Sequence, residues 1–168
     1  MFISSRFPKT PNIEKLFIDS TVIDLTEKVR DLGVILDKNV TLTYHINETC
    51  RKGTNAIRSI GCIRKYFTNK NVKLLVNALV ISQLHYCNSI PYGLPKRELH
   101  KLQRVQNTAV RLITETKQYD HIKPALQKLH WLPVESGIIF KVILITFTSS
   151  WTFSGLFVIL ATGISSTT

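Results

Sequence analysis

Residues Leu94–Thr114 read LPKRELHKLQRVQNTAVRLIT. Beyond Pro95, Leu99, Leu102, Val105 or Gln106, Ala109, Leu112 and Ile113 recur at helical spacing. Arg97, Lys101, Arg104 and Arg111 return on another side at steps of 4, 3 and 7. The stretch predicts an amphipathic helix with one side for a core and four cations on another. Such a row can meet successive phosphates without reading bases, which makes affinity tolerant of sequence and sensitive to salt. A charged stripe opposite an apolar one is equally what a solvated helix shows, so the helix by itself does not choose between the two.

Upstream, Ile46, Cys50, Gly53, Ile57, Ile60, Arg64 and Phe67 form a helical stripe broken only by Arg64, with Thr43 or an earlier polar residue as cap. Its other faces carry Arg51, Lys52, Arg58 and Lys65. A second helix is expected from Asn69 or Asn71 to about Tyr86, burying Leu74, Leu75, Ala78, Leu79 and Ser82. It should end before the turn cluster of Asn88, Pro91, Gly93 and Pro95, with Tyr86 and Tyr92 fixing the turn from Cys87 to Pro95. Downstream, a short helix from His121 to His130 turns Ile122, Ala125, Leu126 and Leu129 inward. Trp131, Leu132 and Pro133 close it, and Trp131 is expected to pack on the Leu94–Thr114 helix.

The first 37 residues have strand character. Met1 to Ser4 is short and apolar, and Arg6 to Asn12 holds Pro8 and Pro11 and reads as a loop. KLFIDSTVIDL (Lys15 to Leu25) alternates as two short strands about Asp19 and Ser20. VRDLGVILD (Val29 to Asp37) reads as a further strand with Gly33 inside it, the mark of a bulge or close backbone approach, or as an ordinary turn at that glycine. These parts make the fold class mainly α with a small N-terminal β element, an α+β chain.

Charge is distributed unevenly. Residues 1–37 carry 5 basic and 6 acidic side chains, 38–111 carry 13 and 2, and 112–168 carry 4 and 3, so the central segment holds the excess behind the net +11. That imbalance favours a polyanion partner over a merely soluble basic surface. Cys50, Cys62 and Cys87 have neither CxxC nor matching His spacing, which favours reduced, intracellular thiols over a secreted scaffold or zinc site. From Val142 to Thr168 no residue is charged. Val142–Gly163 is 22 residues, long enough as a helix to cross a hydrocarbon layer of about 30 Å, although Thr146, Thr148, Ser149, Ser150, Thr152 and Ser154 crowd its first half.

Two phrases carry a resemblance: LHYCNSIPYGLP (Leu84–Pro95) and, 35 positions after Pro95, HWLP (His130–Pro133). With VRDLGVILDKNVTLTYHI (Val29–Ile46), the Leu94–Thr114 helix, DHIKPALQKLHWLPV (Asp120–Val134) and IIFKVILIT (Ile138–Thr146), their order and approximate spacing over roughly residues 1–146 resemble the region downstream of the catalytic core in reverse transcriptases of jockey-like and chicken-repeat-like non-LTR retrotransposons. The resemblance implies the end of a palm at 1–37, a basic helical thumb-like bundle at 38–141, and a tail at 142–168 that departs from the family near Phe147. The family would continue there with a basic and polar stretch. It also implies that Leu32, Gly33 and Val34 match the hairpin that positions a primer end.

Nucleotide polymerisation needs carboxylates converging on two divalent ions, which the resembled enzymes supply partly through an aromatic-x-Asp-Asp turn. No adjacent Asp pair occurs here; Asp19, Asp24, Asp31 and Asp37 read as scattered turn or solvent-facing residues. The five histidines lie on separate elements, and no G-x-S-x-G, H-E-x-x-H or G-x-x-x-x-G-K-[ST] organises a nucleophile, metal or phosphate. His85 and Cys87, two apart on a helix, point to different sides.

The expectation is therefore a reverse-transcriptase fragment that lacks the catalytic carboxylates and is not an enzyme as it stands. It needs no cofactor, with Mg2+ expected only for a full polymerase, and takes no small-molecule substrate. It would hold an RNA or RNA/DNA hybrid backbone through Arg97, Lys101, Arg104 and Arg111, helped by Arg51, Lys52, Arg58, Arg64 and Lys65, in the nucleus or cytoplasm. The alternatives are a small helical protein anchored in a membrane through 142–163, with Lys123, Lys128 and Lys141 on the cytoplasmic side, and a relic translation without function.

Overall fold

The computed structural model describes residues 15–18, 21–24, 26–86 and 92–163, with side-chain surroundings for 26–86 and 92–149. The expectations for Met1 to Asn12, Asp19, Ser20 and most of the Cys87 to Pro95 turn lie outside the described residues. Two antiparallel hairpins precede a set of helices: β1 (Lys15–Ile18) pairs with β2 (Thr21–Asp24), and β3 (Lys28–Asp31) with β4 (Val34–Asp37). Then follow α1 (Thr43–Ile63), a 3₁₀ turn (Arg64–Tyr66), α2 (Asn69–Val76), a π turn (Asn77–Ile81), α3 (Ser82–His85), α4 (Lys96–Thr114), α5 (Ile122–Leu129) and α6 (Val134–Gly163). The chain is mainly α with a small N-terminal β element.

The Val29–Asp37 strand is in fact a hairpin. Leu32 and Gly33 have φ of 43° and 82°, the pair of positive values that a two-residue type I′ turn needs to match strand twist. Gly33 thus stands in the turn, not inside a strand. It registers Asp31 against Val34 and Val29 against Leu36, which leaves Val34 buried and Leu32 exposed at the tip.

Asp37 ends β4 and organises the entry to α1. Its carboxylate accepts from the Thr41 hydroxyl at 2.8 Å and from the Leu42 amide at 3.1 Å. Asp37 is buried, so the solvent-facing reading of it is corrected. The N-cap of α1 is Leu42 in the left-handed region, with no side-chain cap. Thr43 is the first helical residue and not the cap; the earlier polar residues serve the entry, Asp37 taking the Leu42 amide and Thr41 Oγ1 accepting from the Thr43 amide at 3.5 Å.

Helix α4 is the hub, packing on α1, α2, the π turn, α5 and α6. Its buried side is Leu99, Leu102, Val105, Gln106, Ala109, Val110 and Ile113, with Leu112 half-buried. The α1 stripe buries Ile46, Gly53, Ile57 and Ile60 and half-buries Cys50. A Cβ at Gly53 would lie 2.9 Å from Val105 Cγ1, so the missing side chain is what lets α1 and α4 approach. Phe67 and Arg64 leave the stripe because the helix tightens to a 3₁₀ turn at Arg64.

The α2–α3 rod buries Val72, Val76, Val80 and Leu84, not the expected set. Leu74 and Leu79 are exposed, as are Ala78 and Ser82, and only Leu75 is half-buried. An α-helix drifts off a strict four-residue spacing by about 40° per step. The π turn at Asn77–Ile81 widens the helix and brings Val76, Val80 and Leu84 back to one side. Thr68 caps the rod through the Asn71 amide.

Helix α5 carries Pro124 within its first turn, where the missing amide is harmless, and buries Ala125, Leu126 and Leu129 with Ile122 half-buried. It stops at His130 (φ 58°), with the Trp131 amide donating to Leu126 O at 3.0 Å. The HWLP segment is then held by two glutamines of α4. Gln106 Nε2 donates to Leu132 O at 2.9 Å, and the Val134 amide donates to Gln103 Oε1 at 2.8 Å. Gln103 Nε2 in turn donates to Gln106 Oε1 at 2.9 Å, so the buried Gln106 amide is satisfied at both ends. Trp131 packs half-buried on the core.

Among the described side chains of α6, those through Ser149, Val134 and Ile138 enter that core. Ile139, Phe140, Ile143, Leu144, Ile145 and Phe147 are exposed on several sides of one helix.

Candidate nucleic-acid interface

Lys96, Arg97, His100, Lys101 and Arg104 line an open depression of about 660 Å³ along the exposed side of α4. Three of the four cations expected there converge on it. Arg97 and Arg104 are exposed and have no protein partner among the described residues. Lys101 is anchored: its ammonium donates to Glu98 Oε2 at 2.8 Å and to Asn47 Oδ1 of α1 at 3.0 Å. Lys96 and His100 escaped the sequence reading, although their spacing of four from each other and adjacency to Arg97 and Lys101 put them on the same side.

Arg111 is turned elsewhere. Its guanidinium donates to the carbonyls of Lys117 (3.3 Å), Gln118 (3.0 Å) and Asp120 (3.2 Å), holding the loop after α4. Arg64 is likewise committed, its Nε donating to Leu112 O at 3.1 Å and Nη1 to Phe67 O at 3.0 Å, with Asn69 and Glu115 taking Nη2. Both arginines act as struts between helix ends. Sequence could not distinguish them from Arg97 and Arg104, because the difference lies in which carbonyls the fold brings within reach.

A second depression, of about 560 Å³, lies between the β3–β4 hairpin and α1, lined by Lys28, Val29, Arg30, Ile35, Tyr44, Asn47, Glu48 and Arg51. Lys28 Nζ stands 5.1 Å from the centre of the exposed Tyr44 ring. Arg51 forks onto Glu48 with two bonds of 2.9 Å, and Lys52 lies 3.6 Å from the same carboxylate. Hydrogen bonding from Arg51 holds the Glu48 carboxyl below its usual range. The pair is solvent-accessible, and exposed pairs of this kind contribute little, so a phosphate can compete for Arg51. Lys52, Arg58 and Lys65 are exposed but line neither depression; Lys65 stands 5.0 Å over the Tyr66 ring.

The hairpin tip is fixed from below. Tyr86 Oη donates to Leu32 O at 2.6 Å, and a Cβ at Gly33 would meet Tyr86 Cε1 at 3.3 Å. Tyr86 therefore ties the hairpin to the end of α3; the sequence reading had it fix the Cys87 to Pro95 turn, most of which lies outside the described residues.

Among the described residues no group of three or more His, Cys, Asp or Glu side chains is placed to hold a metal ion. Burial pushes the Cys50 thiol up, away from nucleophilic thiolate character. No family model, no curated protein and no solved structure matches the chain.

Proposed function

We propose that the chain is a backbone-gripping piece of a non-LTR-type reverse transcriptase, one that holds RNA or an RNA/DNA hybrid without joining nucleotides. The observation that supports it is the convergence of Arg97, Lys101 and Arg104, with Lys96 and His100, on one open face of α4. Arg97 and Arg104, long cations without a carboxylate partner among the described residues, lie ready to replace condensed counterions, and an open face suits a polymer better than an enclosed small molecule. The resemblance of Val29–Ile46, Leu84–Pro95 and His130–Pro133 supplies the polymerase context, and the absence of an adjacent Asp pair limits the reading to binding. Fluorescence anisotropy with a labelled RNA/DNA hybrid at two salt concentrations tests it. Each phosphate contact removed should lower the log–log salt slope by about 0.9, so the Arg97, Lys101, Arg104 triple alanine variant should flatten it by about 2–3. Affinity indifferent to salt and to the triple substitution sinks the proposal.

A second reading, membrane attachment through α6, is favoured by a separate observation. Ile122–Ser149 runs through α5 and the HWLP break into α6, and an 18-residue apolar segment within it has a mean hydropathy of 1.5 with 11% of its residues buried, the length and composition of a membrane span. Hydroxyls that dilute its apolarity are satisfied within the helix: Thr146 donates to Ile143 O at 2.9 Å, Thr148 to Leu144 O at 2.9 Å and Ser149 to Thr146 O at 2.9 Å. Alkaline carbonate extraction of cells expressing the full chain tests this. Retention in the membrane pellet, lost on Ile143→Lys with Leu144→Lys, supports the anchor, and a wild-type chain that stays in the supernatant removes it.

A further inference from the structure

The two depressions adjoin. Lys101 lines the one on α4, Asn47 lines the one under the hairpin, and these two side chains are hydrogen-bonded to each other at 3.0 Å. The α4 side is lined by four cations, Lys96, Arg97, Lys101 and Arg104, with His100 among them. The hairpin side differs in chemistry: it offers an exposed aromatic ring, Tyr44, beside apolar Val29 and Ile35, with Lys28, Arg30 and Arg51 around them and the single carboxylate of Glu48 bound to Arg51. Phosphates alone do not call for an aromatic ring.

We infer that the cleft between the β3–β4 hairpin and α1 seats one unpaired nucleobase stacked on Tyr44, beside a backbone track along α4. The inference rests on the nucleic-acid reading proposed above and narrows it to a strand with an unpaired end. A flat, π-rich base is the ligand that uses an exposed ring and a shallow apolar floor together, and its phosphate falls among cations. Lys28, near the ring at 5.1 Å, and Arg30 reach from the hairpin, while Arg51 reaches from α1. Stacking does not read base identity, so the seat accepts any base. Duplexed bases are already stacked on their neighbours and cannot occupy it, which makes the seat a discriminator of strand state. Asn47 sits between seat and track, its Oδ1 engaged by Lys101, which leaves its amide nitrogen for the ligand.

The test is anisotropy with two labelled RNA/DNA hybrids of equal paired length, one blunt and one carrying a short single-stranded extension. The wild-type chain should bind the extended hybrid about tenfold more tightly, the advantage of one stacked base. Tyr44→Ala should bring the extended hybrid down to the blunt level and leave blunt affinity unchanged, and Tyr44→Phe should keep most of the advantage. Urea unfolding of each variant checks that the hairpin still docks. Equal binding of the two hybrids by the wild type, or a proportional loss on both with Tyr44→Ala, overturns the seat while salt-dependent blunt binding keeps the grip on α4. Failure of both hybrids to bind overturns both readings together.

Discussion

The Tyr86 phenol donates a 2.6 Å hydrogen bond to the Leu32 carbonyl, 54 positions away in sequence, and so joins the tip of the β3–β4 hairpin to the end of α3. The same ring closes over Gly33, where a Cβ would be 3.3 Å from Tyr86 Cε1 and the backbone lies at φ 82°. Gly33→Ala therefore suffers twice, from the left-handed backbone and from the ring. It should cost about 1–2 kcal/mol in urea unfolding, against about 0.5–1.5 kcal/mol for Tyr86→Phe, which removes only the hydrogen bond. Equal stability of Gly33→Ala and wild type would show that the hairpin does not dock as described.

Gln106 predicts a sharper penalty. Its amide is buried and shared between Leu132 O and Gln103, and Gln103 holds the Val134 amide. Gln106→Leu keeps much of the volume but orphans the Leu132 carbonyl, so a loss of about 1–3 kcal/mol is expected. Amide hydrogen exchange should accelerate at Val134 at the same time. Unchanged protection there would mean that HWLP is held by packing alone.

Arginines that look alike in sequence should separate by assay. Arg64, with its side chain 17% exposed, braces Leu112 O and Phe67 O. Arg64→Ala should lower the urea midpoint, and Arg64→Lys should recover little because one ammonium cannot reproduce the fork. Arg104→Ala should leave the midpoint within error and weaken hybrid binding instead. The reverse pattern for either residue would contradict these assignments.

Acid should destabilise the fold through two histidines. Burial lowers the His45 imidazole below its ordinary range, with Arg30 and Lys52 acting in the same direction. Burial followed by Lys141 lowers His85. A depressed folded-state value means that the unfolded chain takes up the proton first, so stability is full above the unfolded histidine value of about 6.5 and falls as pH drops below it. The urea midpoint should therefore be lower at about pH 5 than at about pH 7.5, and His45→Gln with His85→Gln should flatten that difference. A double variant with the wild-type slope would assign the pH dependence to other groups.

Much of the helical architecture was legible because the periodic signal matched burial directly. In α4, six of the positions read as apolar from spacing, among them Leu99, Leu102, Ala109 and Ile113, do face inward. The α2–α3 rod was misread because Val72, Val76, Val80 and Leu84 compete with Leu74, Leu75, Ala78 and Leu79 for the same role, and their strict four-residue spacing faces one side only once the π turn widens the helix. The interface was half legible. Composition located the cations, but Tyr44, Lys28 and Arg30 enter the site only once the hairpin folds onto α1.

Local sequence determined what each segment could become: a bulge or turn at Gly33, an amphipathic α4, an uncharged α6 beyond Lys141. Those features depend on backbone permissiveness and side-chain polarity, which are properties of short stretches. Tertiary structure alone decided which cations brace the fold and which stay free. A guanidinium's partner is set by distance in space, and Arg64 finds Leu112, 48 positions on, while Arg104 finds none among the described residues.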